Sequence, residues 1–567
     1  MENLEKGQLG GSEHAEYVPD AVLIEAAIAN SEKETQLLRK ELFSRYWPGA
    51  VYSVLLSMAL IMEGMDVGLV GYPTPTLQLL VNNFFGHQGF LNKFGWPDAN
   101  GKQHIPTSWQ SAIGNGNSIG SIIGLMLNGW LQSRYGFRRV YMGAMALMGG
   151  TIFALFFAVN VQMLFSANIQ CGIPWGIFQT LTTAYAAEIC PDAMRGYLTA
   201  WVSMCWGCGS FLAAGVLRAS LDLRGDLGWK LPYALQWVWV VPLFVAALCA
   251  PESPWYLVRR GRVADAEKSL RRLARRGLVH RTVHEGDACA HGAYQRDGED
   301  RVGPGKLQGL FQRHQPEANW YRGKFSLCMA WIIQILNGQS IASFATIFLR
   351  SAGMPQVQAF NYSMGIQSVN IFATAIAIAL MGRIGRRVFY LYGSTGIGLL
   401  MLIIGILGFV PNQTNTAIAV AIVMIMVNFV FKISLGPTCY TIVGEASSSR
   451  VRAQTIVIGR AVYVVGQIAV NQLNPRMLND SSDAWNWGAQ TGLFYFGLCG
   501  LWAVWIFFFL PETKNRTFGE LDYLFQKRIP ARKFATAPVD RKYFQLLHPR
   551  PKLDIERLAT HSDEILI

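Results

Sequence analysis

The hydrophobic positions of this chain fall into long continuous runs rather than into the alternating pattern of half-buried strands. A helix needs about 20 mostly apolar residues to cross about 30 Å of hydrocarbon. Runs that reach or approach this length lie at residues 50–80, 111–131, 140–159, 163–187, 200–217, 233–250, 325–349, 362–381, 388–410, 417–443, 456–470 and 491–510. They predict an all-α membrane protein with twelve transmembrane spans, of which the eleventh, interrupted by Arg460, is the weakest.

Composition supports the same class. The chain has 567 residues, of which 51% are hydrophobic and only 15% are charged, whereas about 25% are charged in a typical soluble domain. A soluble protein of this length would have to expose large apolar patches. The first 47 residues are polar and carry several acids, so no cleavable signal peptide is predicted and span one is expected to direct insertion.

The distribution of basic residues predicts the orientation in the membrane. The net charge is +13, and the Lys and Arg residues cluster after spans two, six, eight and ten and in the C-terminal tail. These segments share one side if the spans alternate, and the positive-inside rule makes that side cytoplasmic. We therefore expect a multi-pass protein of the plasma membrane with both termini in the cytoplasm, and no nucleic-acid partner.

An internal repeat divides the chain into two halves. Three motifs recur after equivalent spans, with offsets of 249 residues (134 to 383), 257 residues (188 to 445) and 260 residues (251 to 511). Duplicated six-span halves are typical of transporters with a central site between the halves. The predicted divisions are a cytoplasmic tail, an N-terminal half, a cytoplasmic loop, a C-terminal half and a second cytoplasmic tail, at residues 1–47, 48–251, 252–324, 325–510 and 511–567.

Four charged residues lie deep within spans: Glu63, Asp66, Lys432 and Arg460. Such charges are costly in lipid and usually face a cavity. Glu63 and Asp66 share one helix face, and neighbouring carboxylates can share a proton; alternatively, one pairs with a cation or caps broken helix. Lys432 lies about 12 residues, or roughly 18 Å, from its span's end, so it either exchanges a proton with a carboxylate or binds an anionic solute. Arg460 is expected to snorkel towards the interface.

Five motifs carry a resemblance that covers nearly all of residues 45–525. They are MEGMD at 62–66, GIPWGIFQ at 172–179, PESPWYL at 251–257, GPTCYTIVGE at 436–445 and PETKNRTFGEL at 511–521. This ordered set resembles the sugar porter family of the major facilitator superfamily, and within it the fungal maltose and α-glucoside permeases. The resemblance implies the major facilitator fold, with two pseudo-symmetric six-helix halves, and proton-coupled sugar uptake by alternating access.

The resemblance also implies residue roles. Asp66 stands where proton-coupled relatives place their proton-binding Asp, with Glu63 and Lys432 as further proton-coupling candidates. The expected solute contacts are Gln334, Gln339, Ser340 and Asn370 in spans seven and eight, Tyr440 in span ten, and Trp175 and Gln179 in span four. The sequence departs from the family's pattern at three positions. Asn168 replaces the family's span-four Arg, and Ser203 and Ser210 replace glutamines in span five.

Charged residues at the predicted cytoplasmic ends are candidates for a conformational latch made of ion pairs. They are Glu188, Arg195, Arg134 and Arg138 in the first half and Glu445, Arg450, Arg452, Arg383 and Arg387 in the second. The alternative is a topology signal without a gating role. Ser133 and Gly382 replace an Asp that the superfamily normally carries before the first Arg of each loop, so the latch is expected to be incomplete.

The remaining motifs predict little chemistry. Cys205 and Cys208 form a CxxC spacing inside a span and are expected to be packing residues. Neither a P-loop nor a nucleophile–base set nor a metal cluster is found, so we expect no enzyme, no metal and no cofactor other than protons as the coupling ion. Asn361, Asn412 and Asn479 begin glycosylation sequons in predicted outer loops.

Three functions remain open from the sequence. The first is a proton-coupled importer of a maltose-type or α-glucoside sugar, acting as a monomer in the bilayer. The second is a carrier or exporter of a non-sugar metabolite on the same fold, which Asn168, Ser203, Ser210 and Lys432 favour. The third is a sugar sensor that does not transport, which the short C-terminal tail disfavours.

Overall fold

The structure is a computed structural model, and it describes most of the chain between residues 39 and 539. The described residues are 39–70, 88–97, 103–105, 107–190, 192–220, 223, 226–274, 317–344, 356–410, 414–447, 452–478, 485, 487–514, 516 and 518–539. The predicted N-terminal tail up to residue 38, much of the predicted central loop and the sequon residues Asn412 and Asn479 lie outside them. Asn361 falls in a described helix, but its side chain does not belong to the described set.

Helices form all six spans of the first half wherever those spans are described. Span one is broken into two helices at Met58, and the other five spans are single helices. The helices are α1 (Arg39–Ser57), α2 (Ala59–Val70), α3 (Gln88–Phe94), α4 (Thr107–Tyr135), α5 (Phe137–Phe156), α6 (Val161–Ile189), α7 (Asp192–Ser220) and α8 (Leu227–Cys249). Short strands β1 (Trp96–Pro97) and β2 (Gln103–His104) pair antiparallel in the connection before span two. α3 is also part of this connection, and α9 (Pro254–Arg259) and α10 (Val263–Leu273) follow span six.

The second half repeats this arrangement. Its helices are α11 (Glu317–Leu336), α12 (Gln356–Met381), α13 (Arg386–Leu407), α14 (Thr414–Ile433), α15 (Leu435–Ala446), α16 (Arg452–Leu478) and α17 (Thr491–Phe509), followed by α18 (Phe518–Gln526) in the tail. α14 and α15 together form span ten. The end of the bundle that carries Arg134, Arg138, Arg383 and Arg387 is called the arginine-rich end below.

Within the described residues, nine helical segments are long and apolar enough to cross a membrane. The helices of spans two, four and seven are not among these nine. In span four, every residue of α6 from Gly176 to Ile189 is buried. A helix surrounded by protein has no lipid-facing side, so its polar residues contact other helices instead.

Glycines bring α4 and α6 into close contact. Gly120 and Gly124 of α4 face Gly172 and Gly176 of α6, and both pairs have the small-xxx-small spacing of closely packed membrane helices. A Cβ atom at Gly120 would lie 2.0 Å from the carbonyl oxygen of Ile169, and the other three glycines meet backbone at 2.0–2.3 Å. Only glycine allows this approach, which fixes the position of span four beside span two.

Spans seven and ten are interrupted near their middles. α11 ends at Leu336, and Gly338 has a φ of +85° before a 3₁₀ turn over Gln339–Phe344. Span ten breaks at Ser434, whose φ of −120° and ψ of −83° are not helical. Non-helical backbone inside a membrane bundle is tolerated where it is buried in protein or lines a cavity, and here it lies beside the predicted solute residues.

Leucine at Gly172 or Gly176 should disrupt the packing of α4 against α6, because the new side chain would overlap backbone atoms of α4. We expect a loss of at least about 1–3 kcal/mol, seen as a lower thermal midpoint of the detergent-solubilised protein in size-exclusion chromatography. Gly150→Leu is the matched control, since a Cβ at Gly150 would meet nothing within 4 Å. Equal midpoints for Gly172→Leu and Gly150→Leu would contradict this account.

Candidate functional site

Asp66 is completely buried in the first half and is surrounded by hydrogen-bond donors from three other spans. The indole N–H of Trp175 donates to Asp66 Oδ2 at 3.0 Å, and Asn117 Nδ2 lies 3.4 Å from the same oxygen. Gln236 Nε2 donates to Oδ1 at 3.3 Å, and the thiol of Cys171 lies 3.8 Å from Oδ2. Each of these donors is electrically neutral. The carboxylate is therefore held in place without a cation among them.

Asn168 occupies the position at which relatives are expected to carry a span-four Arg. Its side chain is fully buried, and Nδ2 donates to the carbonyl oxygen of Leu164 in its own helix at 2.8 Å. The amide therefore bonds locally rather than substituting for the missing cation beside Asp66.

Arg460 does not snorkel, so that prediction was wrong. The side chain is only 4% exposed, and its Nε donates to Gln179 Oε1 at 2.7 Å. The guanidinium lies over the rings of Tyr463, Trp331 and Trp206, at 4.2, 4.9 and 5.5 Å from their centroids. Cation–π contacts and an amide acceptor compensate the charge inside the bundle, so the side chain has no need to reach the interface.

Glu63 contacts the other end of the Gln179 amide, opposite Arg460. Its Oε1 accepts a short hydrogen bond from Gln179 Nε2, and the side chain is 2% exposed. Glu63 Oε2 is buried and has no hydrogen-bond partner in the described part of the chain. Gln179 thus connects an acid on span one with a base on span eleven, across the boundary between the two halves.

Lys432 is half-buried on α14. Its Nζ lies 5.7 Å from the ring centroid of Phe431, and among the described residues it forms neither a hydrogen bond nor an ion pair. It contacts neither Glu63 nor Asp66, so the structure does not bring the three proton-coupling candidates together. Its proposed roles in proton exchange or anion binding stay predictions.

Two predicted solute residues of the second half carry unsatisfied buried acceptors. Gln334 Nε2 donates to the carbonyl oxygen of Gly436 at 3.2 Å, whereas Gln334 Oε1 lacks a partner within the described chain. Asn370 Nδ2 donates to Gln367 Oε1 at 2.9 Å, and Asn370 Oδ1 is likewise unsatisfied there. Buried polar atoms are nearly always paired, so these two oxygens are suited to accept hydrogen bonds from solute hydroxyl groups.

The other predicted solute residues are held by neighbouring side chains. Gln339 Nε2 donates to Asn428 Oδ1 at 3.1 Å, and Ser340 Oγ accepts from Asn474 Nδ2 at 2.9 Å. Tyr440 packs edge-on against Trp331, with ring centroids 5.0 Å apart. This arrangement combines amide and hydroxyl groups with aromatic faces near the breaks in spans seven and ten.

Trp175 and Gln179 have other contacts than the predicted ones with solute. Trp175 is fully buried, and its indole N–H, which is its only polar hydrogen, donates to Asp66. Gln179 uses both ends of its amide, for Glu63 and Arg460. In this conformation the indole N–H of Trp175 is bound by Asp66, and both ends of the Gln179 amide already have partners, on spans one and eleven.

At the arginine-rich end, the same capping contact appears in both halves. The carboxylate of Glu252 accepts from the first two N–H groups of α5 at 2.8 and 3.2 Å, and Glu512 accepts from the first two of α13 at the same distances. An acid at a helix N-terminus satisfies free N–H groups and complements the helix dipole. Burial raises the pKa of Glu252, although these N–H donors oppose that effect.

In the second half, Glu445 forms a buried ion pair with Arg386, an arginine that the sequence analysis did not name as a gating residue. Arg386 binds Glu445 through two bonds, Nη2 to Oε1 at 2.7 Å and Nε to Oε2 at 3.1 Å, and Thr513 Oγ1 donates to Oε2 at 2.6 Å. Arg383 offers its carbonyl oxygen to Lys514, and Arg387 lies over the ring of Phe507. Arg450 lies outside the described residues, and only the backbone of Arg452 is described.

The first half differs at this end. Phe137 stands at the position of Arg386, so an apolar ring replaces the arginine of that bidentate pair. Glu188 Oε2 instead accepts from Ser253 Oγ at 2.5 Å, and Arg195 Nε donates to the carbonyl oxygen of Ala187 at 2.9 Å. The guanidinium of Arg134 lies 5.4 Å from the ring centroid of Trp130 in the same helix. The backbone N–H of Arg138 donates to Glu252 in the segment after span six.

The two halves meet at the arginine-rich end. Thr199 Oγ1 of α7 donates to Thr441 Oγ1 of α15 at 3.2 Å. A Cβ atom at Gly196 would lie 2.7 Å from Arg386 Nη2 and 3.3 Å from Glu445 Oε1. α7 therefore packs directly on the ion pair of the second half, and the bundle is closed here.

Comparison with known proteins identifies the family. Residues 52–525 match the family model described as "Sugar (and other) transporter". This chain belongs to the sugar transporter family. It is 33% identical over 516 residues to a general alpha-glucoside permease of Saccharomyces cerevisiae, covering 90% of this chain and 80% of the relative. It is also 33% identical over 547 residues to the maltose permease MAL31 of the same yeast, covering 94% and 85%.

Solved structures show the fold of this sugar transporter. The proton:xylose symporter XylE of the major facilitator superfamily superposes with a TM-score of 0.68 at 18% identity, covering 85% of this chain and 100% of XylE. An inward-open XylE from E. coli gives 0.58 at 20% identity, covering 83% and 98%. The predictions of an all-α major facilitator fold, of a multi-pass membrane transporter and of a protein that is not an enzyme are confirmed.

Removing one partner of the Arg386–Glu445 pair should destabilise this transporter strongly, because the other partner would remain buried without a counter-charge. We expect Arg386→Met or Glu445→Gln alone to cost about 3–5 kcal/mol and the double variant to cost less than the sum. Thermal unfolding in detergent measures this cycle. The control is the exposed pair Arg262–Asp265, at 2.8 Å, for which about 0–1 kcal/mol is expected. Additive effects at Arg386 and Glu445 would contradict a coupled pair.

Proposed function

We propose that this protein takes up a sugar of the maltose or α-glucoside type together with protons, by alternating access between its two halves. The observation that carries the proposal is the buried carboxylate of Asp66, which is held by neutral donors from spans two, four and six. Its yeast relatives include a general alpha-glucoside permease and a maltose permease, which supports the choice of solute.

The surroundings of Asp66 suit a group that gains and loses a proton during a cycle. A carboxylate paired with an arginine would leave a buried cation uncompensated whenever it became neutral, which is strongly unfavourable. The donors around Asp66 carry no charge, so protonation strands no cation among them. The amide and indole groups hold the side chain in position in either protonation state.

The second half supplies the groups that suit the solute. Gln334 Oε1 and Asn370 Oδ1 can accept hydrogen bonds from sugar hydroxyls. Tyr440 and Trp331 provide aromatic surface beside the broken part of span ten, and such surface suits the apolar faces of a sugar ring. We place the proton-binding site in the first half and most of the sugar contacts in the second. Movement of one half against the other then couples proton transport to sugar transport.

Orientation and location follow the distribution of charge. The basic loops place the arginine-rich end in the cytoplasm under the positive-inside rule, and a permease for an external sugar belongs in the plasma membrane. Because the contacts of α7 with α15 close this end, the conformation described corresponds to a state closed towards the cytoplasm. A monomer contains both halves of the site and suffices for this cycle.

Asp66→Asn should abolish sugar accumulation against a gradient, because an amide cannot carry the coupling proton. Uptake of labelled maltose into transporter-deficient cells, with and without an uncoupler, measures this. We expect uncoupler-sensitive accumulation in the wild type and in the control Asp226→Asn, whose carboxylate is exposed and pairs with Lys93, but not in Asp66→Asn. Uptake at the empty-vector level would rule out maltose, and uncoupler-sensitive accumulation by Asp66→Asn would rule out its role.

Leucine at Asn370 or Gln334 should weaken sugar binding, because each removes an acceptor for a solute hydroxyl. We expect the KM for maltose to rise by about tenfold or more in each variant, since one lost hydrogen bond in a buried site costs about 1–3 kcal/mol. Initial uptake rates over a range of maltose concentrations give the KM. Asn128→Leu is the control, because Asn128 is a buried amide of span two that bonds Thr180 away from the site. An unchanged KM in both site variants would contradict the placement of the sugar.

A further inference from the structure

Gln179 is placed between two ionisable side chains that belong to different halves. Its amide N–H₂ donates to Glu63 Oε1 on span one, and its carbonyl oxygen accepts from Arg460 Nε on span eleven. Gln179 is 7% exposed, and Glu63 and Arg460 are 2% and 4% exposed. The contact therefore lies inside the bundle, where solvent does little to weaken electrostatic interactions.

The partners fix the direction of this amide. A guanidinium group has only donors, so the acceptor end of Gln179 has to face Arg460. The donor end then faces Glu63, which as a carboxylate can only accept. The amide dipole is consequently aligned between an anion in the first half and a cation in the second, and each of its two bonds is assisted by charge.

We propose that Gln179 transmits the protonation state of Glu63 to Arg460, and so makes the contact between the halves at this level depend on a proton. This rests on the proposed function, in which a proton drives movement of the halves. Protonation of Glu63 removes the anion at one end of the aligned chain. A neutral hydrogen bond is roughly half as strong as a charge-assisted one. The chain of hydrogen bonds from Glu63 through Gln179 to Arg460 therefore weakens once Glu63 is protonated.

The ionisable groups that interact with Glu63 are all part of this cluster. Asp66 lies on the same helix, Arg460 and Tyr463 come from α16, and Tyr440 comes from α15. Asp66 bonds elsewhere, to Trp175 and Gln236. Gln179 is the direct hydrogen-bonded link from Glu63 to the second half among the contacts of the described chain.

The aromatic residues around Arg460 explain how the effect can reach the solute residues. Tyr463, Trp331 and Trp206 lie against the guanidinium and can hold it when the bond to Gln179 weakens. Trp331 also packs against Tyr440, a predicted sugar contact. A shift of Arg460 therefore changes the surroundings of an aromatic face that the sugar is proposed to meet.

A distance measurement between the halves tests this link without relying on any solute. Nitroxide labels carried by unnatural amino acids at Val159 and Phe409, which are 72% and 66% exposed at the end opposite the arginine-rich end, leave the native cysteines in place. Double electron–electron resonance spectroscopy then gives the distribution of distances between the two labels in purified protein, at mildly alkaline and at mildly acidic pH. The wild type should shift its populations with pH, and Glu63→Gln should show the acidic distribution at both values.

Gln179→Leu should reduce the pH-dependent change in population by about threefold or more, because the link to Arg460 is gone. The matched control Gln132→Leu removes another buried amide, which bonds Asn128 at 3.2 Å, and should keep the wild-type shift. A shift in Gln179→Leu equal to that of the wild type, or a wild type whose distances do not respond to pH, would overturn the proposal.

Transport assays on the same variants separate this inference from the proposed function. If the wild type fails to accumulate maltose while the distances depend on pH through Gln179, the choice of solute is wrong and the link stands. If the wild type accumulates maltose and Gln179→Leu accumulates it equally well with the same pH profile, the link is wrong and the proposed function stands. We expect maltose exchange across vesicles by Gln179→Leu to lose the pH dependence that the wild type shows.

Discussion

Charged side chains inside a membrane bundle have to be compensated by other protein groups, and this requirement organises the structure. Asp66 is surrounded by neutral donors, Glu63 and Arg460 share the amide of Gln179, and Glu445 binds Arg386 in a bidentate pair. These three solutions draw on different spans, and together they fix which helices must lie side by side. The glycine contacts between α4 and α6 hold spans two and four together, and these two spans supply Asn117 and Trp175 to Asp66.

The two halves share a fold but divide the chemistry. The capping contacts of Glu252 and Glu512 repeat almost identically, as expected for a duplicated unit. Other charged positions differ between the halves, since Phe137 takes the place of Arg386 and the predicted spans of the second half contain no acid like Glu63 or Asp66. An asymmetric pair of halves suits a carrier in which one half holds a proton and the other holds most of a solute.

The length of the apolar runs was sufficient to predict an all-α membrane protein, and helices form the predicted spans wherever the structure describes them. The burial of Glu63 and Asp66 inside the bundle was also predictable, because acids in the middle of an apolar run are costly in lipid and usually face the protein interior. Arg460 was misjudged because its distance along the chain from the span's end suggested that it would snorkel. Sequence position cannot show that three aromatic rings and Gln179 converge on it from spans four, five, seven and eleven.

Other residues were missed for related reasons. Trp175 was assigned to the solute because aromatic side chains often contact sugars, but its position opposite Asp66 depends on the close packing of α6. Arg386 is the first residue of α13 and follows Gly385. Only the structure shows that its side chain points towards Glu445 rather than towards solvent. Local patterns identified the residue types correctly, and tertiary packing decided their partners.

The central claim is that sugar movement carries protons through Asp66, and proton movement itself is the most direct measure of it. Purified protein in proteoliposomes, suspended in a weakly buffered medium without an imposed gradient, should make that medium more alkaline when maltose is added outside. The same addition to liposomes with Asp66→Asn should leave the external pH unchanged while labelled maltose still equilibrates. Maltose entry into wild-type liposomes without any alkalinisation would contradict the account.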